Sequence, residues 1–235
     1  VFIPLYLDQN NQSKKDSDIF FSMIFILFLI ITSLLSLFVF FQTEVVISLF
    51  APGFIDDKNL LANSTHLLKI TFPFLIFVST GSLLSSVLNA NNNFFIPSFL
   101  SVILNIGMII TLFLYKDHSH IQLAWPILIS GCIQLILLLV NFKFLKITFH
   151  FTFYLSKSLL KVLKLFFIRI LQSIVGAGIV QLNIFVSMIF ASLVGGGAIS
   201  QMYYADRIID LPFALIAVAI TTTLLPYLSK NIHDI

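Results

Sequence analysis

The chain has one cysteine in 235 residues, Cys132, so no disulfide can form within it. Charge is nearly as scarce: Asp, Glu, Lys and Arg make up 10% of the residues, against about a quarter in a soluble domain. That shortage excludes an ordinary water-solvated globule. Common catalytic signatures are also missing. There is no glycine-rich phosphate loop ending in Lys-Ser or Lys-Thr, no His-Glu-x-x-His and no paired-cysteine metal motif. ATP hydrolysis is therefore not expected, and nothing in the chain reads as an enzyme or calls for a cofactor. His118 and His120 flank Ser119 without a third ligand, so they read as solvated loop residues. The net charge is only +3, and the basic residues are clustered, which suits a membrane surface better than nucleic acid.

What remains is apolar, at 59% of the chain. Ile19 to Phe41 carries no charge and is long enough to span a bilayer. Ala51-Pro52-Gly53-Phe54 then turns the chain ahead of the polar Asp56-Asp57-Lys58-Asn59. Further spans are expected at Leu67 to Leu88, with a bend near Thr71 to Pro73, at Pro97 to Tyr115, and at Ile121 to Val140. Asn89 to Asn93 reads as a turn rather than a ligand site. Val1 to Leu7 reads as the tail of an apolar segment, as though the sequence were N-terminally incomplete.

Residues 141–169 differ in kind. Lys143, Lys146, His150, Lys157, Lys161, Lys164 and Arg169 alternate there with Phe and Leu. Lys157, Lys161 and Lys164 share a helical face opposite Leu159, Val162, Leu163 and Phe166, which predicts an amphipathic helix lying among lipid headgroups. A fifth span follows from Ile170 to Val194. It is unusually polar, holding Gln172, Ser173, Gln181, Asn183 and Ser187. Gly195 to Gly197 reads as a flexible loop before a sixth span. The Lys and Arg count puts Lys14, Lys15, the basic stretch and Lys230 on the cytoplasmic side, and Lys58 and Lys116 on the other. The fold class expected is thus all-α, a polytopic transmembrane helix bundle. It comprises N-terminal lobe helices at 1–140, a basic cytoplasmic linker at 141–169 and the start of a C-terminal lobe at 170–235.

The sixth span carries the most costly residues. Ser200, Tyr203, Arg207, Asp210, Ala214, Ala217 and Thr221 fall on one helical stripe, while Met202, Ile208, Ile209, Leu211, Leu215, Val218 and Leu225 face away. An Arg or Asp at mid-membrane costs about 2.5 to 3.5 kcal/mol on insertion scales, so such residues face a bundle interior or a wet cavity. The spacing allows two roles for Arg207: a partner for Asp210 that ties the helix in place, or a ligand for an anion, since a guanidinium grips phosphate oxygens through paired bonds.

Several stretches together resemble one family. Ala51-Pro52-Gly53-Phe54, Lys69-Ile70-Thr71-Phe72-Pro73, Leu88-Asn89-Ala90 with Phe94, Pro97 and Leu104-Asn105, and above all Tyr203-Tyr204-Ala205-Asp206-Arg207 with Leu211-Pro212 and Leu224 to Ser229, are similar to motifs of the MurJ/MviN lipid II flippases. These belong to the multidrug/oligosaccharidyl-lipid/polysaccharide exporter superfamily. The resemblance implies a multi-pass protein of the bacterial inner membrane. It would move the undecaprenyl-linked peptidoglycan precursor to the periplasmic leaflet by alternating access between two lobes. It also implies that Ser200, Arg207 and Asp210 belong to the substrate cavity; Asn183, in the preceding polar span, is a further substrate-binding candidate. Membrane lipids and the cell-wall synthesis machinery would be its partners. Some members have an Asp where Ser187 stands, contributing to a sodium site, so coupling to an ion or to the membrane potential is left open. Two further readings also remain: another exporter of the superfamily, or a non-transporting scaffold or remnant.

Overall fold

The computed structural model describes residues 1–114, 120–144, 157–195 and 197–212, and among them there is no strand. Helix α1, Phe2–Gln12, ends at Ser13, whose hydroxyl accepts the Asp16 N–H and so caps α2, Lys14–Phe41. A short α3, Thr43–Phe50, leads into a single 3-10 turn at Pro52–Phe54. Asp57 opens α4, Lys58–Thr71, by accepting the Asn59 and Leu60 N–H groups at 2.9 and 3.0 Å.

The expected bend falls where the sequence places it. Helix α4 stops at Thr71, and α5, Phe74–Ala90, restarts behind Pro73. The span begins earlier than hydropathy implied, with helix already formed from Lys58. Asparagines then make the predicted turn. Asn92 adopts φ 59°, and the Asn93 N–H reaches back to the Leu88 carbonyl at 2.9 Å, a left-handed cap that closes α5. The Asn93 side chain also donates to Asn141 Oδ1 at 3.0 Å, tying this turn to the end of α7. Helix α6, Phe95–Leu114, and α7, His120–Phe144, form an antiparallel pair.

The largest departure from expectation lies in α8, Lys157–Val194, a single helix of 38 residues. It joins what the sequence suggested were a headgroup helix and a separate span. No proline lies in it, and its first glycine is Gly176, so nothing local breaks the hydrogen-bond ladder at Arg169-Ile170. The apolar face of its first turns packs on protein. Leu159 and Phe166 are buried in one cluster with Phe2, Phe20, Phe21, Leu84 and Phe142, and Phe166 meets Phe2 and Phe20 edge-on at 6.4 and 5.7 Å. Lys161 and Lys164 are exposed on the other face, so the amphipathic reading holds while the apolar partner is helix, not lipid. Residues 145–156, with Lys146 and His150, lie outside the described residues, as do the His118-Ser119 pair and residues 213–235.

Five helical stretches among the described residues are long and apolar enough to cross a membrane: Lys14–Phe41, Lys58–Ala90, Phe95–Leu114, Ile121–Phe144 and Leu159–Val194. Buried hydroxyls in them bond to their own helix, as Ser22 does to the Asp18 carbonyl at 2.7 Å and Thr32 to the Phe28 carbonyl at 2.7 Å. That satisfies polar groups where no water can.

Candidate functional site

Helix α8 touches the rest of the molecule near its two ends. One contact is the aromatic cluster around Phe166. The other is at its far end, where Phe185 meets Phe50 edge-on at 4.8 Å and the Gly53 N–H donates to Ser192 Oγ at 3.2 Å. Gly53 is required by closeness: a Cβ there would overlap the Ser192 carbonyl oxygen and lie 2.9 Å from the Leu193 nitrogen. Ser192 is buried, and its hydroxyl in turn donates to the Ile189 carbonyl at 2.7 Å. This contact joins residues 139 positions apart, and sequence reasoning had read the Pro-Gly turn as a loop only.

Between those contacts α8 stands clear of the other described residues. Nothing lies within 4 Å of where a Cβ would sit on Gly176 or Gly178, and Gln172, Ser173, Gln181 and Asn183 are all exposed. The polar character that set this span apart in the sequence is thus gathered on a stretch that other helices leave uncovered.

A turn with Gly195 at φ 124° and Gly197 at φ 87° leads from α8 into the helix over 198–212. Both angles are positive, where a side chain would be strained, so glycine suits both positions. Ser200, Tyr203, Arg207 and Asp210 are all exposed on this helix. Arg207 Nε donates to the Tyr203 hydroxyl at 3.1 Å, and the guanidinium carbon lies 5.1 Å from the Tyr203 ring centre. The hydrogen-bond partner of Arg207 is therefore the tyrosine one turn earlier. Met202 is half-buried, whereas Ile208, Ile209 and Leu211 are exposed. The rest of the stripe, Ala214, Ala217 and Thr221, lies outside the described residues.

The structure brings Tyr203 and Arg207 together and places Ser200 and Asp210 on the same helix. Asn183 sits on α8, the helix before them. Among the described residues, no three His, Cys, Asp or Glu side chains come together in a way that could hold a metal ion. Chemically, this leaves an exposed guanidinium, a hydroxyl, a carboxylate and primary amides on two consecutive helices. Such a set suits recognition of an anionic, hydroxyl-rich group rather than bond-breaking.

A family model described as "Lipid II flippase MurJ" matches residues 1–234. The chain is similar to the probable lipid II flippase MurJ of Buchnera aphidicola subsp. Schizaphis graminum (strain Sg), 35% identical over 229 residues, covering 95% of this chain and 44% of that protein. It is similar to the probable lipid II flippase MurJ of Rickettsia prowazekii (strain Madrid E), 31% identical over 233 residues, covering 98% of this chain and 45% of that protein. The lipid II flippase MurJ of Burkholderia cenocepacia is 29% identical over 184 residues, or 77% of this chain and 36% of that protein. The chain spans less than half the length of these relatives.

Proposed function

Because the chain belongs to the lipid II flippase MurJ family, we propose that it forms part of a transporter for the undecaprenyl-linked peptidoglycan precursor. The transporter moves this lipid from the cytoplasmic to the periplasmic leaflet of the bacterial inner membrane by alternating access. The match over residues 1–234 carries this reading. In it, residues 1–140 and 170–235 belong to two lobes, and 141–169 connects them on the cytoplasmic side. The uncovered polar stretch of α8 and the 198–212 helix face the path of the headgroup.

The pyrophosphate of such a lipid needs a cation that can hold two oxygens at once. The Tyr203 bond occupies only Nε of Arg207, so both terminal amino groups keep the planar fork that grips phosphate. Tyr203 fixes the direction in which that fork points. Ser200 and Asn183 supply neutral hydrogen bonds to sugar or peptide groups. Asp210 lowers the net charge along the path, so that an anion is not held too tightly to leave.

The test uses a full-length relative whose corresponding stretch is replaced by this chain. Arg207→Ala should abolish complementation of a flippase-deficient strain at normal abundance, and Arg207→Lys should retain partial function, since charge survives while the fork is lost. The double variant Arg207→Gln/Asp210→Asn removes both charges, so no uncompensated charge remains, and it should stay inactive. Recovery of activity in the double variant would overturn the headgroup role and make Arg207 a structural residue.

A further inference from the structure

Helices α6 and α7 enclose a groove of 570 Å³ that is independent of the Arg207 path. Its floor forms where the two helices come closest: a Cβ on Gly107 would lie 2.5 Å from Ser130 Oγ. Its rim is built from Ile106 and Ile110 on α6 and Trp125 and Ile129 on α7, each about half exposed, so it opens on the outer surface of the bundle. The next residue of α7, Gly131, is covered by Phe74 and Phe77 of α5.

Two measures of the groove fit a membrane lipid. The first is length. On α6 its lining runs from Leu114 to Ile103, about 16 Å at about 1.5 Å per residue. One leaflet of a hydrocarbon core about 30 Å thick has that depth. The second is polarity: Thr111 and Ser130 also line the groove, but its buried acceptor without a partner lies at one end. Gln122 Oε1 is buried there without a hydrogen-bond partner. Pro126, four residues on within α7, has no N–H to give the Gln122 main-chain carbonyl. Two acceptors thus stand at the end of the groove nearest the helix termini, one turn from Trp125, whose indole suits the membrane interface.

We propose that this groove is a phospholipid site. One acyl chain lies along Ile110, Ile106 and Ile129, and a headgroup that donates hydrogen bonds, such as ethanolamine, is held at Gln122. A donor headgroup then meets both acceptors at the interface, and a leaflet-deep apolar slot is filled by a leaflet-long chain.

Trp125 is the only tryptophan in the chain and lines the groove, so it reports occupancy directly. The full chain is reconstituted in phosphatidylcholine bilayers, and its fluorescence is followed as acyl-brominated phosphatidylethanolamine or acyl-brominated phosphatidylcholine is added. Quenching by the ethanolamine lipid should saturate, at about tenfold lower mole fraction than the choline lipid needs, because only the former donates hydrogen bonds to Gln122. Gln122→Leu removes the side-chain acceptor and leaves the main-chain carbonyl, so it should narrow the difference between the two lipids severalfold; an unchanged difference would overturn the role of Gln122. Ile110→Phe with Ile129→Phe fills the groove from residues that already face outward, so folding is not at stake, and it should remove the saturable component. Linear quenching by both lipids, unchanged in the groove-filling variant, would mean ordinary annular contact and overturn the site. A Trp125 shielded from brominated lipid and from aqueous iodide alike would also overturn it, because a protein helix would then cover the groove.

Discussion

A side chain at position 53 would meet the main chain of α8, and that fixes what can replace Gly53. Alanine needs a shift of the Ser192 carbonyl; valine needs two helices to part. In a Cys132→Ser background, a cysteine at Ser192 should react slowly with a water-soluble maleimide, since the position is 3% exposed. Adding Gly53→Val should raise the labelling rate severalfold; an unchanged rate would show that the contact is dispensable. Single residues also mark where the sequence was readable. The costly Arg207 was visible from hydropathy alone, and its stripe put Tyr203 one turn away, where the hydrogen bond forms. Spacing could not choose between the two roles open to Arg207, pairing with Asp210 or gripping an anion; in the structure a residue four positions earlier offers both an acceptor and a ring face to the same guanidinium. The Gly53 to Ser192 contact was invisible, because no local pattern encodes a pairing across 139 residues.

At the scale of elements, α8 shows how composition can mislead about boundaries. A run of lysines giving way to an apolar stretch looks like two units, yet helix continuity depends on backbone bonds, and no breaker interrupts them between Lys157 and Gly176. Its anchoring can be assigned by substitution. Phe166 is buried at 2% exposure among aromatic rings, so Phe166→Ala should cost about 3 to 5 kcal/mol. The thermal midpoint of the detergent-solubilised chain should fall accordingly. Lys161→Gln with Lys164→Gln touches only an exposed face and should cost less than about 0.5 kcal/mol per site. Spin labels on this segment should be freed by the first change and not by the second. The opposite pattern in anionic bilayers would restore headgroup attraction as the anchor. By contrast, the break at Pro73 and the asparagine turn at Asn92 were legible, since each depends on a residue whose own chemistry makes the turn, whereas the cap at Asp57 starts a helix in what the sequence presents as a polar loop.

For the whole molecule, the position of the core decides the direction of every span. Phe20 and Phe21 near the start of α2, Leu84 and Leu88 near the end of α5, Leu138 and Phe142 near the end of α7, and Leu159 and Phe166 near the start of α8 all join one cluster. Helices α2 and α8 start at this cluster and α5 and α7 end there, so Lys14, Lys15, Lys143, Lys161 and Lys164 lie toward one end of the bundle. The Pro52–Phe54 turn and the end of α8 lie toward the other, joined through Gly53 and Ser192. Basic residues accumulate on the cytoplasmic side of membrane proteins, which predicts that the clustered end is the cytoplasmic one. Two exposed positions test this in a Cys132→Ser background: Asn59, just past the turn, and Lys164, on the basic face of α8. A cysteine at 59 should react with an impermeant maleimide in intact cells, whereas a cysteine at 164 should react only once the membrane is opened. Reversed labelling would invert the bundle. Labelling of both from outside would mean that the path from Phe166 to Phe185 does not cross the bilayer, although its nineteen residues rise about 28 Å, close to the thickness of the hydrocarbon core.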